Sequence, residues 1–137
     1  VRVTPVITVT ALCLLDAHGH LLLVRKRGTS VFMQPGGKPE PDETPTRTGS
    51  RELQEELGLT VRPEELTLLG TWSGPAANEA DTRLVATVFL CPLAGEPRPA
   101  AEIEELDWLD LDAAGLRGDL APLLTDYVVP ALLALRG

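Results

Sequence analysis

The chain has 137 residues, 44% hydrophobic and 23% charged, a balance that fits one folded domain with a sizeable core and excludes wholesale disorder. Its 20 Asp and Glu against 12 Lys and Arg give a net charge of −8, the wrong sign for gripping a nucleic-acid polymer. No apolar run reaches the ~20 residues of a membrane-spanning helix, and VRVTPVITVT alternates instead of forming a signal-peptide core, so a cytoplasmic setting is expected.

The missing initiator Met points to a processed or trimmed product. VITVTALCLLDA (residues 6–17) and HLLLVRKR (20–27) are β-type runs with His18-Gly19 between them, which predicts a β-hairpin whose turn carries the two solvated histidines, His18 and His20. Residues 28–43, rich in Gly and Pro, read as a short strand followed by a loop. A helix follows. Thr44 suits its N-cap and Pro45 its first position, Gly58 suits its stop, and Ser50, Leu53 and Leu57 form the core-facing stripe. Gly49-Ser50 weakens that helix by up to ~1 kcal/mol, for which close packing on the sheet is the expected reason.

LTLLGTWSG (66–74) and RLVATVFLCPL (83–93) are further β-rich runs, joined by PAANEADT. GEPRPAAE is a Pro-rich turn, IEELDWLDL a short strand, and residues 120–136 one C-terminal helix that Pro130 should kink or divide. This order gives an α/β fold, a mixed sheet covered by helices, in a single domain over residues 1–137. Neither a G-x-G-x-x-G nor a phosphate-binding G-x-x-x-x-G-K-[ST] is present. Cys13 and Cys91 sit inside apolar runs with no CxxC and no His at ligand spacing, which fits buried thiols in a reducing compartment.

The predicted helix ends in RELQEEL, where Glu52, Glu55 and Glu56 share one face within roughly a 100° arc. Like charges so placed repel by a few tenths of a kcal/mol per pair, and the helix dipole disfavours each by roughly 0.3–1 kcal/mol. A solvated acidic face is one reading. The other is a site for a hard divalent cation such as Mg²⁺ or Mn²⁺, which prefers oxygen ligands; zinc is disfavoured because no Cys or His accompanies them. Metal ions would also reconcile the acidic chain with an anionic small substrate.

From Gly37 the chain reads Gly37, five residues, Glu43, seven residues, then Arg51-Glu52-Leu53-Gln54-Glu55-Glu56-Leu57-Gly58-Leu59. This resembles the Nudix box of the Nudix hydrolases, G-x5-E-x7-R-E-U-x-E-E-x-G-U with U aliphatic, and every fixed position is met without a gap. The resemblance implies a Nudix-type α/β/α sandwich around a central mixed β-sheet. It also implies hydrolysis of a diphosphate linkage in a nucleoside diphosphate joined to another moiety, with Mg²⁺ as cofactor and Mn²⁺ as substitute. Glu52, Glu55 and Glu56 match the family's metal-binding carboxylates. One of them, or a Glu from a later loop, would be the general base, and the resemblance leaves the choice open. Gly36 and Gly37 match the place where a backbone carbonyl nears the metal and the chain meets substrate. Glu43 would assist through a water or a supporting bond, and Arg51 would orient a box carboxylate, pairing with Glu43 or a neighbour.

Beyond the box, the resemblance puts a further metal-binding or basic Glu near Glu102, with Glu105 in reserve. Arg25, Lys26 and Arg27 end the second strand near the expected phosphate site, and residues 78–83 fall where recognition groups are needed. The substrate implied is a nucleotide-type small molecule: a nucleoside triphosphate in a housecleaning role or, on the weak marker of Pro75, ADP-ribose or a nucleotide sugar. Phe32, Trp72, Phe89, Trp108 and Tyr127 are the only aromatics for stacking on a base, most of them expected in the core. A non-catalytic Nudix-fold binding module is the alternative from another class. The expected assembly is a monomer or homodimer, with neither a nucleic-acid polymer nor a membrane as partner.

Overall fold

The computed structural model describes residues 3–136. Val1 and Arg2, which open the alternating N-terminal run, and Gly137, at the far end of the expected single domain, lie outside the described residues.

Two sheets lie between helices. Strands β1 (Val6–Cys13), β4 (Gly36–Gly37), β5 (Thr67–Pro75) and β6 (Arg83–Leu90) form a mixed sheet in the order β4-β1-β6-β5. Within it β1 and β6 run parallel, from Val6 opposite Arg83 to Cys13 opposite Leu90. Strands β2 (Leu21–Lys26), β3 (Phe32–Met33) and β7 (Ile103–Leu109) form a second, antiparallel sheet in the order β3-β2-β7. No helix among the described residues is long and apolar enough to cross a membrane.

The apolar runs of β1 and β2 are nearly continuous because both faces are buried. Leu12, Leu14, Leu22 and Val24 pack with Leu53 and Leu57 of helix α1 (Pro45–Leu57). Ala11, Cys13, Leu21 and Leu23 face the other way, onto Leu124, Val128 and Leu132 of the C-terminal helical segment. Each fully buried leucine contributes roughly 1.5–3 kcal/mol. Both cysteines are buried free thiols, and burial pushes each thiol pKa up to about 12, far from the reactive thiolate.

The hairpin exists only at its turn. Asp16 Oδ1 accepts the N–H groups of His18 and His20, both at 2.9 Å, and Gly19 supplies the positive φ of 78°. His18 is exposed and His20 half-buried. After Leu22 N–H meets the Leu14 carbonyl the strands part, because Gly36 and Gly37 take the free edge of β1 and Leu12 N–H bonds the Pro35 carbonyl.

Helix α1 is capped as its sequence dictates. Thr44 Oγ1 accepts from Arg47 N–H at 3.3 Å, and Gly58 stops the helix in the left-handed region at φ 69°. Gly49 lies where a Cβ would stand 3.0 Å from Leu12 Cδ2 and 3.1 Å from Leu66 Cδ1, so its missing side chain lets helix and sheet approach. Ser50, the upper member of the expected stripe, is half-buried and donates its hydroxyl to the Val61 carbonyl.

The C-terminal helix begins at 122, not at 120. Residues 119–121 run beside β3 instead, with Phe32 N–H bonded to the Asp119 carbonyl at 2.8 Å and Ala121 N–H to the Phe32 carbonyl at 2.9 Å. Pro130 neither breaks the helix nor ends it. The turn before it widens into a π turn at Leu124–Val128, with Val129 N–H bonded to the Leu124 carbonyl, and α2 (Val129–Arg136) carries on. A proline has no N–H to lose from that ladder.

Candidate active site

The C-terminal half of α1 delivers three carboxylates to three different environments. Glu56 is buried, 2% exposed, and Oε1 accepts the Gly36 N–H at 3.0 Å. Burial drives its pKa up to about 8, against the pull of that N–H, with Glu52 and Glu102 adding repulsion. The Glu52 side chain is 14% exposed, and burial raises its pKa too, more than the adjacent Arg51 lowers it. Glu55 is 53% exposed.

Arg51 lies at the centre of the acidic groups. Nε and Nη2 each reach a Glu43 oxygen at 2.8 Å, a bidentate pair that, with Thr48 Oγ1 at 2.7 Å, holds the Glu43 carboxyl down to about 2. Its Nη1 contacts Glu52 and Glu55, and Nη2 also donates to the Lys38 carbonyl at 3.0 Å. These carboxylates raise the guanidinium pKa still further above its ordinary value.

Gly36 and Gly37 close the other side. Gly36 has φ 148°, a conformation that favours glycine, and a Cβ there would run into the Thr10 carbonyl oxygen. A Cβ on Gly37 would occupy the space of the Glu52 carboxylate. The two glycines therefore bring bare backbone against the acidic helix face.

A third segment reaches the site by a route the sequence did not signal. The Pro-rich stretch before β7 straps the C-terminal end of α1: Ala100 N–H bonds the Glu56 carbonyl at 2.9 Å and Arg98 N–H the Leu57 carbonyl at 3.0 Å. Two residues on, Glu102 faces Lys26, with Nζ 3.4 Å from Oε1.

A cleft of about 400 Å³ joins these groups to an apolar region. Its polar lining includes Gly36, Gly37, Lys38, Glu52, Lys26 and Glu102; its apolar lining includes Val9, Leu84, Ala121 and Leu123, and Asn78 and Glu79 of the β5–β6 loop also line it. Arg25 does not line it. Its guanidinium is held by Glu105 at 3.0 Å and the Thr29 carbonyl at 2.8 Å, which removes Arg25 as a phosphate contact and occupies Glu105. Arg27 is likewise paired, with Glu104. None of the five aromatics lines the cleft; Phe32 and Phe89 are core residues. Sequence reasoning missed Gln34 and Lys38, both cleft residues; a polar residue closing the apolar run Val31–Met33 was the available signal for Gln34.

The donor set fits a hard divalent cation. It offers carboxylate oxygens on one helix face against a glycine backbone, without thiol or imidazole. Burial raises Glu52 and Glu56, and a cation beside them would offset the cost of their negative charge. Among the described residues no three His, Cys, Asp or Glu side chains already converge as a ligand set. Arg51 holds Glu52 and Glu55, and Glu56 is turned to Gly36.

A sandwich of this topology, with a box helix facing a double-glycine strand and an apolar cleft, is the architecture of the Nudix fold. The chain belongs to the NUDIX domain family, whose family model matches residues 4–130. It is 35% identical over 100 residues to a MutT-like protein of Streptomyces ambofaciens, covering 72% of this chain and 60% of that protein. It is also 35% identical over 69 residues to the phosphatase NudJ of Escherichia coli, covering 49% of this chain and 45% of NudJ. The matches thus span only about half the length of these relatives. Among solved structures, a MutT protein from Methanosarcina mazei Go1 superimposes with a TM-score of 0.78 at 21% identity, over 99% of this chain and 96% of that one, which speaks for the fold.

Proposed function

We propose that the chain, acting as one domain in the cytoplasm, is a divalent-cation-dependent hydrolase of the diphosphate linkage in nucleoside diphosphate derivatives, with nucleoside triphosphates the first class to test. One observation carries this reading: a single cleft is lined both by apolar side chains and by Glu52, Gly37, Glu102 and Lys26, which suits a molecule with an uncharged part and a polyphosphate part.

Glu52, Glu55 and Glu56, with the Gly37 backbone and Glu102, would hold Mg²⁺ or Mn²⁺. A cation there supplies charge compensation for the diphosphate oxygens and the incoming water. Lys26 would bind a phosphate oxygen once released from Glu102, and Gly36–Gly37 let the substrate lie close to the backbone. Arg51 positions: by fixing Glu43 it steadies the loop that leads into α1, and it keeps Glu52 and Glu55 oriented. A carboxylate among Glu52, Glu55, Glu56 and Glu102 takes the proton from the attacking water.

Phosphate release should be measured with Mg²⁺ or Mn²⁺ at alkaline pH, across canonical and oxidised nucleoside triphosphates, ADP-ribose, nucleotide sugars, dinucleoside polyphosphates and coenzyme A. One substrate turned over far above the rest is the expected result. Glu55→Gln or Glu56→Gln, folded, should lose about 100-fold or more. Undiminished activity in both variants overturns the assignment of the carboxylates. Silence across the panel, with metal binding intact, overturns the enzymatic reading in favour of a binding module.

A further inference from the structure

Gln34 follows β3 and is only 5% exposed, yet neither its amide nitrogen nor its amide oxygen has a hydrogen-bond partner among the described residues. Folded proteins pair nearly all such buried atoms, so each exception calls for an explanation. The neighbouring Cys13 thiol is close enough for the Gln34 side chain to lower its pKa against the rise that burial causes, yet neither amide atom meets hydrogen-bond geometry with it. Gln34 also lines the cleft, as do Ala121 and Leu123, and Ala121 N–H bonds the carbonyl of Phe32, two residues before Gln34. That region is aliphatic and suits the flat faces of a ring better than a sugar or a phosphate. Along the backbone, Gln34 is three residues before Gly37, so their Cα atoms are at most about 11 Å apart. A nucleoside with its phosphates running toward Gly37 fits within that reach.

Resting on the nucleotide-hydrolase reading above, we propose that Gln34 is the specificity residue for the base end of the substrate. Its flexible side chain turns from its buried resting position into the cleft, where the carboxamide pairs, donor to acceptor and acceptor to donor, with the edge of a planar heterocycle. A carboxamide is the side chain that matches adjacent donor and acceptor atoms on a nucleobase edge. The segment that runs beside β3 is held firmly: Arg117 forms a fork to Asp119, bonds Asp107 and lies 5.3 Å over the Phe32 ring. The selectivity therefore resides in the side chain and not in a mobile loop.

The test compares wild type with Gln34→Leu and Gln34→Met, both free of polar atoms at nearly unchanged volume, so that one variant survives if the other misfolds. Melting temperature is read without ligand, and kcat/KM is read with Mg²⁺ on a nucleoside triphosphate and on inorganic tripolyphosphate, which has no base. The expected result is a melting temperature raised by about 3 °C or more, because an unpaired buried amide is gone. It comes with at least a ten-fold loss on the nucleotide and little change on tripolyphosphate. A raised melting temperature with unchanged nucleotide kinetics overturns the proposal. A lowered melting temperature in both variants also overturns it, because the amide is then satisfied within the protein. If wild type hydrolyses neither compound, the hydrolase reading fails separately, and Gln34 is judged by thermal shift with a nucleoside monophosphate against ribose 5-phosphate. A shift specific to the nucleotide and lost in Gln34→Leu supports the proposal; an equal shift in both proteins, or none in wild type, overturns it.

Discussion

Glu56 and Glu43 show how one acidic cluster produces opposite responses to pH. Glu56 has a folded pKa of about 8 against an ordinary 4.5, so in metal-free protein the folded state holds a proton that the unfolded state has released. Its contribution to stability is complete below about pH 4.5 and disappears as pH rises through about 8. Glu43, held down to about 2, behaves the other way: its contribution is present above about 4.5 and is lost as pH falls toward 2. In chelator, the melting temperature should therefore decline between about pH 5 and 8, and Glu56→Gln should flatten that decline; an unchanged slope would count against burial as the cause. The glycines separate structure from chemistry. Gly36→Ala forces a strained φ and a clash with backbone, and should cost about 1–3 kcal/mol. The atoms nearest a methyl in Gly37→Ala belong to the Glu52 side chain and not to backbone, so denaturant melts should show a smaller loss while hydrolysis falls sharply.

Among the elements, α1 was legible down to its caps because cap chemistry is local: Thr44, Pro45 and Gly58 each act within a turn of the helix. The paired strands were harder. Nothing within residues 6–27 says that β1 and β2 will part, since the groups that claim the edge of β1 arrive from Gly36 and Gly37. The start of the C-terminal helix was misjudged for the same reason, as Leu120 is drawn into a bridge with Phe32 by partners far along the chain. Gly49 offers a test at this scale. Gly→Ala in an open helix gains about 1 kcal/mol, but here the new methyl must fit 3.0–3.3 Å from Leu12, Leu66 and Thr10. Gly49→Ala should therefore fail to raise the melting temperature, and a rise of several degrees would mean that the helix can slide outward.

Across the whole molecule, the two apolar cores lie on opposite sides of β1 and β2, so those strands tie the α1 face to the C-terminal face. The cleft opens beside that junction and borrows walls from both. Of the candidate site, helical spacing alone put Glu52, Glu55 and Glu56 on one face, while the place of the paired glycines came from the resemblance to the Nudix box. The burial of Glu56, the engagement of Arg25 by Glu105 and the exposure of Glu102 to Lys26 could not, because each depends on which segments meet across the fold. A chain of net charge −8 that concentrates acid in this way should be stabilised by divalent ions. At 100 times the dissociation constant, Mg²⁺ would add about 2.7 kcal/mol, and the melting temperature should rise with Mg²⁺ in wild type but not in Glu56→Gln. Equal rises in both would place the ion elsewhere.

The strap across the end of α1 has one more consequence. In Pro97-Arg98-Pro99-Ala100 the two prolines carry no amide hydrogen, and the two remaining amides are both committed to α1 carbonyls. For four residues the main chain has no donor to offer another strand, so this stretch cannot nucleate edge-to-edge association. In a deuterium-exchange experiment, the amides of Arg98 and Ala100 should become labelled only when the last turn of α1 opens. They would then serve as two reporters of how often the acidic end of that helix comes undone.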